Sequence, residues 1–190
     1  MNEINIDAGV KLLLDRYEKC SPSDITYGRH WYMKAHDYSV ILSSKYNCTV
    51  KQAAGVIATL SPRNKWQDNL KDAENVISAY SQGNDLKKVP LSSPYVKIDK
   101  CIKILQQGID PDTILVQKSR SFYRCIFYPL TKEVCVDVWA ARALEYREKW
   151  IPYKVYPQLQ ECYIIAADKL DIIPHVLQAI IWVNIRGKPD

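Results

Sequence analysis

Val134-Cys-Val-Asp-Val-Trp-Ala-Ala-Arg-Ala143 decides how this chain of 190 residues is read. Its first half clusters β-branched residues and has the composition of a strand, whereas its second half is alanine-rich and suits a helix. A strand needs a partner to take its backbone hydrogen bonds, and no other stretch of the chain supplies one. The segment therefore reads as a turn or short extended stretch feeding a helix from about Val138 to Tyr146, and the fold class becomes all-α.

Working outward, helical spacing recurs on both sides. Further helices are predicted near 155–169 and 173–185, and upstream near 119–128. Asp110-Pro111-Asp112 opens a short helix, and residues 95–107 form another, which Gly108 closes. In the first half, Ile6, Val10, Leu13, Leu14 and Tyr17 mark a helix that ends before Ser21-Pro22. Trp31, Ala35, Tyr38 and Leu42 mark a longer one from about Asp24 to Tyr46. Thr49-Val-Lys-Gln52 has the form of a capping box, in which the threonine oxygen and the glutamine side chain satisfy orphan amides. The helix it starts stops at Ser61-Pro62, a pair that can equally cap the next helix, whose apolar face is Trp66, Leu70, Ala73, Val76, Ile77 and Tyr80. The irregular stretch from Gln82 through Pro90 to Pro94 reads as a linker between lobes.

Composition sets the wider bounds. An apolar fraction of 47 % and a charged fraction of 25 % are those of a folded globular chain. Lys and Arg exceed Asp and Glu, 26 to 21, which fits a polyanionic partner without requiring one. No apolar run is long enough to span a bilayer, and the N-terminus lacks the pattern of a signal peptide. A cytoplasmic monomer, or one located wherever DNA is, follows as the expectation. Cys20, Cys48, Cys101, Cys125, Cys135 and Cys162 form no CxxC pair and read as buried free thiols. His30, His36 and His175 lie far from them at zinc-ligand spacing, so no metal or cofactor is expected.

Residues from about 50 to 145 resemble, in order, the helix-hairpin-helix (HhH-GPD) DNA glycosylases of the endonuclease III and 8-oxoguanine glycosylase type. Ala54 to Ala73, with Leu60-Ser-Pro-Arg-Asn64 at its centre, looks like the family's early helix pair. Lys97 to Leu105 is similar to the helix before the hairpin, and Val136 to Ala143 to the segment that carries the catalytic aspartate. The resemblance implies a two-lobed helical fold with its active site in the cleft between lobes, lobe A spanning about 20–82 plus 155–190 and lobe B about 95–146. It places the catalytic aspartate at Asp137. The Schiff-base lysine of bifunctional members falls at Lys118, nineteen positions earlier.

The chemistry wants both residue types. Breaking an N-glycosidic bond builds positive charge on the sugar, which a nearby carboxylate stabilises. A lysine made neutral by partial burial, or by cations such as Arg120 and Arg124, attacks to form an imine whose β-elimination nicks the strand. Arg63 and Asn64 stand where the family wedges a residue into the gap left by a flipped base, and Arg63 is the better candidate. Trp139, Tyr123 and Trp66 are candidates to stack on the base, and Ser119, Arg120 and Arg124 to contact DNA. Each has a plainer reading: Asp137 as a helix N-cap, Lys118 as a surface charge, and the aromatics as core.

The sequence departs from the family as well. Thr113-Ile-Leu-Val-Gln117 replaces the glycine-rich hairpin, Trp139 stands where a histidine is common, and the cysteines of an iron–sulfur cluster are absent. Excision of a modified or damaged base from DNA, with or without strand cleavage at an abasic site, is the function implied. A DNA-binding or inhibitory module without turnover, and an N-glycosidase acting on free nucleosides or RNA, are the alternatives. His175 and the C-terminal helix read as structural.

Overall fold

A computed structural model describes residues 4–93, 98–148 and 150–187. Every regular element among these residues is helical, with no strand. The helices are α1 (Ile6–Glu18), α2 (Pro22–Lys45), α3 (Val50–Leu60), α4 (Trp66–Ser81), α5 (Ile98–Gln106), α6 (Pro111–Ile114), α7 (Gln117–Phe127), α8 (Val138–Ala143), α9 (Tyr156–Leu170) and α10 (Pro174–Arg186). A 3-10 turn at Leu86–Lys88 lies between α4 and α5. The all-α expectation stands, and residues 95–97 of the expected fifth helix lie outside the described residues.

The chain divides into two compact units. The first takes residues 4–33 and 128–187, and the second takes residues 34–127. The chain passes from one to the other within α2, after Met33, and returns after Phe127. This grouping differs from the expected lobes, which placed α3 and α4 with the C-terminal helices. Instead α3 packs on α4, α5 and α7, and α9 and α10 pack on α1 and α8. The stretch after Gln82 is no linker between units, since it lies wholly within the second. Leu86 is buried there, and Ser92 donates through its N–H and its hydroxyl to Asp72 on α4.

In the first unit, Leu13, Leu159, Tyr163, Leu177 and Ile181 form the core with Val134 and Val136. Fully burying each of these aliphatic side chains contributes about 1.5–3 kcal/mol. Two glycines permit the closest approaches. A Cβ on Gly28 would stand 2.5 Å from the Ile180 Cα, and one on Gly9 would stand 2.7 Å from the Cys162 Sγ. Arg16 Nε donates to the Ala143 carbonyl at 2.6 Å and so satisfies the C-terminal end of α8.

In the second unit, Leu42, Ile57, Leu60, Ile77, Ile104, Leu105 and Ile126 are buried. The capping box at the start of α3 is present as expected, with Thr49 and Gln52 each bonded to the other's backbone N–H. Asp110 caps α6 ahead of Pro111, and Gly108 ends α5 at φ 65°. One junction differs from expectation. Ser61 closes α3 and its hydroxyl donates to the Ala58 carbonyl, so Ser61-Pro62 does not cap α4. The N-cap of α4 is Lys65, without a side-chain bond, and Arg63 turns the chain at φ 56°.

Candidate functional site

In the first unit the segment that could have been a strand runs extended into α8, and α9 takes the place of a partner strand. The Val136 N–H donates to Tyr156 Oη at 2.9 Å, and Gln160 Nε2 donates to the Val134 carbonyl at 2.7 Å. Side chains of one helix thus satisfy the backbone that a neighbouring strand would otherwise pair. The segment delivers Asp137 to the N-cap of α8, where Oδ1 accepts from the N–H groups of Trp139 at 2.9 Å and Ala140 at 2.8 Å. Oδ2 accepts from Trp182 Nε1 on α10 at 3.1 Å.

Asp137 is half-buried, and its surroundings alternate indoles with guanidinium groups. The Arg142 guanidinium lies 4.8 Å from the centroid of Trp139, and that of Arg186 lies 4.7 Å from Trp182. Trp31 lies tilted against Trp182 with centroids 6.3 Å apart. Below, Tyr163 donates to the Ala140 carbonyl at 2.9 Å. Burial and then the Asp137 charge push the Tyr163 phenol well above its ordinary range. The cap reading of Asp137 is correct as geometry. It does not use up the carboxylate, because a carboxylate oxygen can accept twice and Oδ2 accepts from the Trp182 indole.

His175 is buried in the same unit, edge-on to Tyr32, with Nδ1 3.2 Å from the Thr131 carbonyl. Burial lowers it from 6.5 to about 4, with the bond to Thr131 opposing. Tyr32 in turn donates to Gln178 Oε1 at 2.9 Å. All three side chains are buried within the first unit.

The remaining candidates belong to the second unit. Lys118 lies in the first turn of α7 and is exposed, so the partial burial expected for its amine is absent. The same turn of the helix directs Ser119 inward, leaving it 8 % exposed. Arg120 is half-buried. Arg124 is held by Asp112, Nε to Oδ1 at 2.8 Å and Nη2 to Oδ2 at 3.3 Å, and so braces α6 against α7. Tyr123, a candidate for stacking on a base, is 1 % exposed and parallel to Phe127 at 5.7 Å, which places it in the core. Trp66 is half-buried at the start of α4 and meets Phe122 edge to face at 6.4 Å. Asn64 ties the α3–α4 junction by donating to Asp72 Oδ2 at 2.9 Å, whereas Arg63 beside it is exposed. Leu115 and Val116 join α6 to α7 without glycine, Leu115 buried and Val116 exposed.

The chain belongs to DUF7178, a family of unknown function. The family model matches residues 1–189. No curated protein and no solved structure matches the chain.

Among the described residues, no three His, Cys, Asp or Glu side chains gather as a metal site. All six cysteines are free, five buried and Cys48 half-buried. Burial pushes the thiols of Cys20, Cys48 and Cys162 up to about 11 and that of Cys101 to about 12. Thiols raised in this way, those of Cys20, Cys48, Cys101 and Cys162, carry little of the nucleophilic thiolate at neutral pH. Also among the described residues, no helix is long and apolar enough to cross a membrane.

Sequence reasoning missed Trp182 as the partner of Asp137, although Arg186 four positions on is a spacing that stacks a guanidinium over an indole. It also missed Asn69 and Asp72, which lie on the buried face of α4. Asp72 is 2 % exposed and bonded by Asn64 and Ser92. Asn69 is 1 % exposed, and neither its Oδ1 nor its Nδ2 has a hydrogen-bond partner. Leaving such a group unpaired in the interior costs about 1–3 kcal/mol.

Proposed function

We propose that this chain cleaves the N-glycosidic bond of a modified or damaged base in DNA, with Asp137 as the catalytic carboxylate. The observation that carries this reading is the fixing of Asp137 on both oxygens, by two backbone N–H groups and by Trp182. A carboxylate held in this way needs little reorganisation to face the positive charge that develops on the sugar. The remaining capacity of Oδ2 can orient a water for attack on the anomeric carbon. Arg142 and Arg186, each spread over an indole, supply cations for phosphate and aromatic surface for a base. The order of segments from about 50 to 145, which resembles the glycosylases, supports the same reaction.

The strand-cleaving step at Lys118 is a separate proposal, resting on sequence spacing. Its exposure argues for testing it independently of base release.

The experiment is a screen of oligonucleotides carrying modified bases, scored for free base and for nicking, together with borohydride trapping on abasic DNA. Base release by the native chain and its loss in a folded Asp137→Asn variant is the expected result. A covalent adduct that disappears in Lys118→Gln adds the lyase step. Binding of DNA with neither release nor adduct would instead make the chain a binding module.

A further inference from the structure

Asn69 stands apart from every other polar group on its helix face. Asp72, one turn on, is equally buried, yet its carboxylate accepts from Asn64 Nδ2 and from the N–H and hydroxyl of Ser92. Donors are therefore plentiful beside α4, and the carboxamide of Asn69 uses none of them. Buried polar groups are almost always paired, and an exception calls for a reason. Three residues earlier, on the same face of α4, Trp66 is held edge-on by Phe122.

A carboxamide presents a donor and an acceptor side by side. A flat heterocycle with an N–H next to a ring nitrogen or carbonyl satisfies both at once, as asparagine does with an adenine edge, and an indole offers it a stacking surface. We propose that Asn69 and Trp66 form a recognition site for a nucleobase, whose N–H donates to Oδ1 and whose acceptor atom accepts a hydrogen bond from Nδ2. The choice of a nucleobase over another lactam or amidine rests on the glycosylase reading, whereas the unpaired amide does not. The amide has no solvent contact, so on this proposal a base reaches it only where the Trp66 end of α4 gives way.

The test uses the full chain and two apolar variants, Asn69→Leu, which keeps the branched shape, and Asn69→Ala. Replacing an unpaired buried amide by hydrocarbon of similar shape relieves the fold. At least one of the two variants therefore melts above the native chain, by about 2–4 °C. Free adenine, guanine, cytosine, thymine and uracil are then titrated by ligand-detected NMR. The native chain binds at least one of them, and both variants bind it ten-fold or more weakly. Melting of both variants below the native chain means that the amide is bonded within the fold, which overturns the proposal. Unchanged base affinity in the variants, or no base bound by the native chain at millimolar concentration, overturns it too. Binding through Asn69 without release of any base from DNA keeps this site and removes the glycosylase reading. Release that survives both variants with the same base preference does the reverse.

Discussion

Trp182 donates its indole N–H to Asp137 Oδ2 at 3.1 Å, joining α10 to the N-cap of α8. Trp182→Phe keeps a ring beneath the Arg186 guanidinium and removes only the donor. The bond goes to a carboxylate that is half-exposed, so its loss should destabilise the first unit by about 1 kcal/mol, measured by urea unfolding. If Asp137 is catalytic, base release should fall about ten-fold as well, equivalent to about 1.4 kcal/mol of barrier. A less stable variant with an unchanged rate would assign the bond to packing alone.

Gly28 on α2 meets the backbone of Ile180 on α10, where an added Cβ would lie 2.5 Å from the Cα and 2.6 Å from the N. Backbone atoms within a packed helix cannot swing aside as a side chain can. Gly28→Ala should therefore destabilise by about 1–3 kcal/mol despite the better helix propensity of alanine. The control is Gly83→Ala, at φ 70° with open space around it, where any loss comes from backbone conformation alone. Equal melting of Gly28→Ala and the native chain would contradict the close approach.

His175 gives the fold a pH dependence whose sign follows from its lowered value of about 4. Between that value and the ordinary 6.5 the unfolded chain takes up a proton that the folded chain refuses, so stability falls as pH falls. The change from pH 7 to pH 5 amounts to about 2 kcal/mol at most. His175→Gln, which can still donate to the Thr131 carbonyl, should flatten that part of the profile. Denaturant midpoints at the two pH values, compared between the variant and the native chain, decide it.

What was legible in the sequence was local. The capping box at Thr49, the Asp110-Pro111 start of α6 and the Gly108 stop of α5 each act within a turn of the chain, and each stands where it was expected. The buried face of α2 was legible only in part, at Ala35 and Leu42, since it also runs through Gly28, Tyr32 and Ser39, and glycine and serine do not score as apolar. Tyr38, expected on that face, is half-buried and donates to Glu74 instead. The grouping of helices was missed for a similar reason, because the stretch after Gln82 looks like a linker until Leu86 and Ser92 are placed against their neighbours. At the candidate site, Asp137 carried a motif around it. Its partner Trp182 lies 45 residues away in sequence, and no periodicity links the two.

Arg63 is exposed at the α3–α4 junction with φ 56°, a conformation that costs a side chain with a Cβ about 1 kcal/mol relative to glycine. If that conformation serves to present a cation to DNA, stability and affinity should separate on substitution. Arg63→Gly relieves the backbone and removes the guanidinium, whereas Arg63→Ala removes the guanidinium and keeps the strain. The glycine variant should unfold about 1 kcal/mol later than the alanine variant. Both should bind DNA equally weakly, each with a slope of log affinity against log salt shallower than the native chain's by about 1. Unaltered affinity and slope in both variants would leave Arg63 as a turn residue with no part in binding.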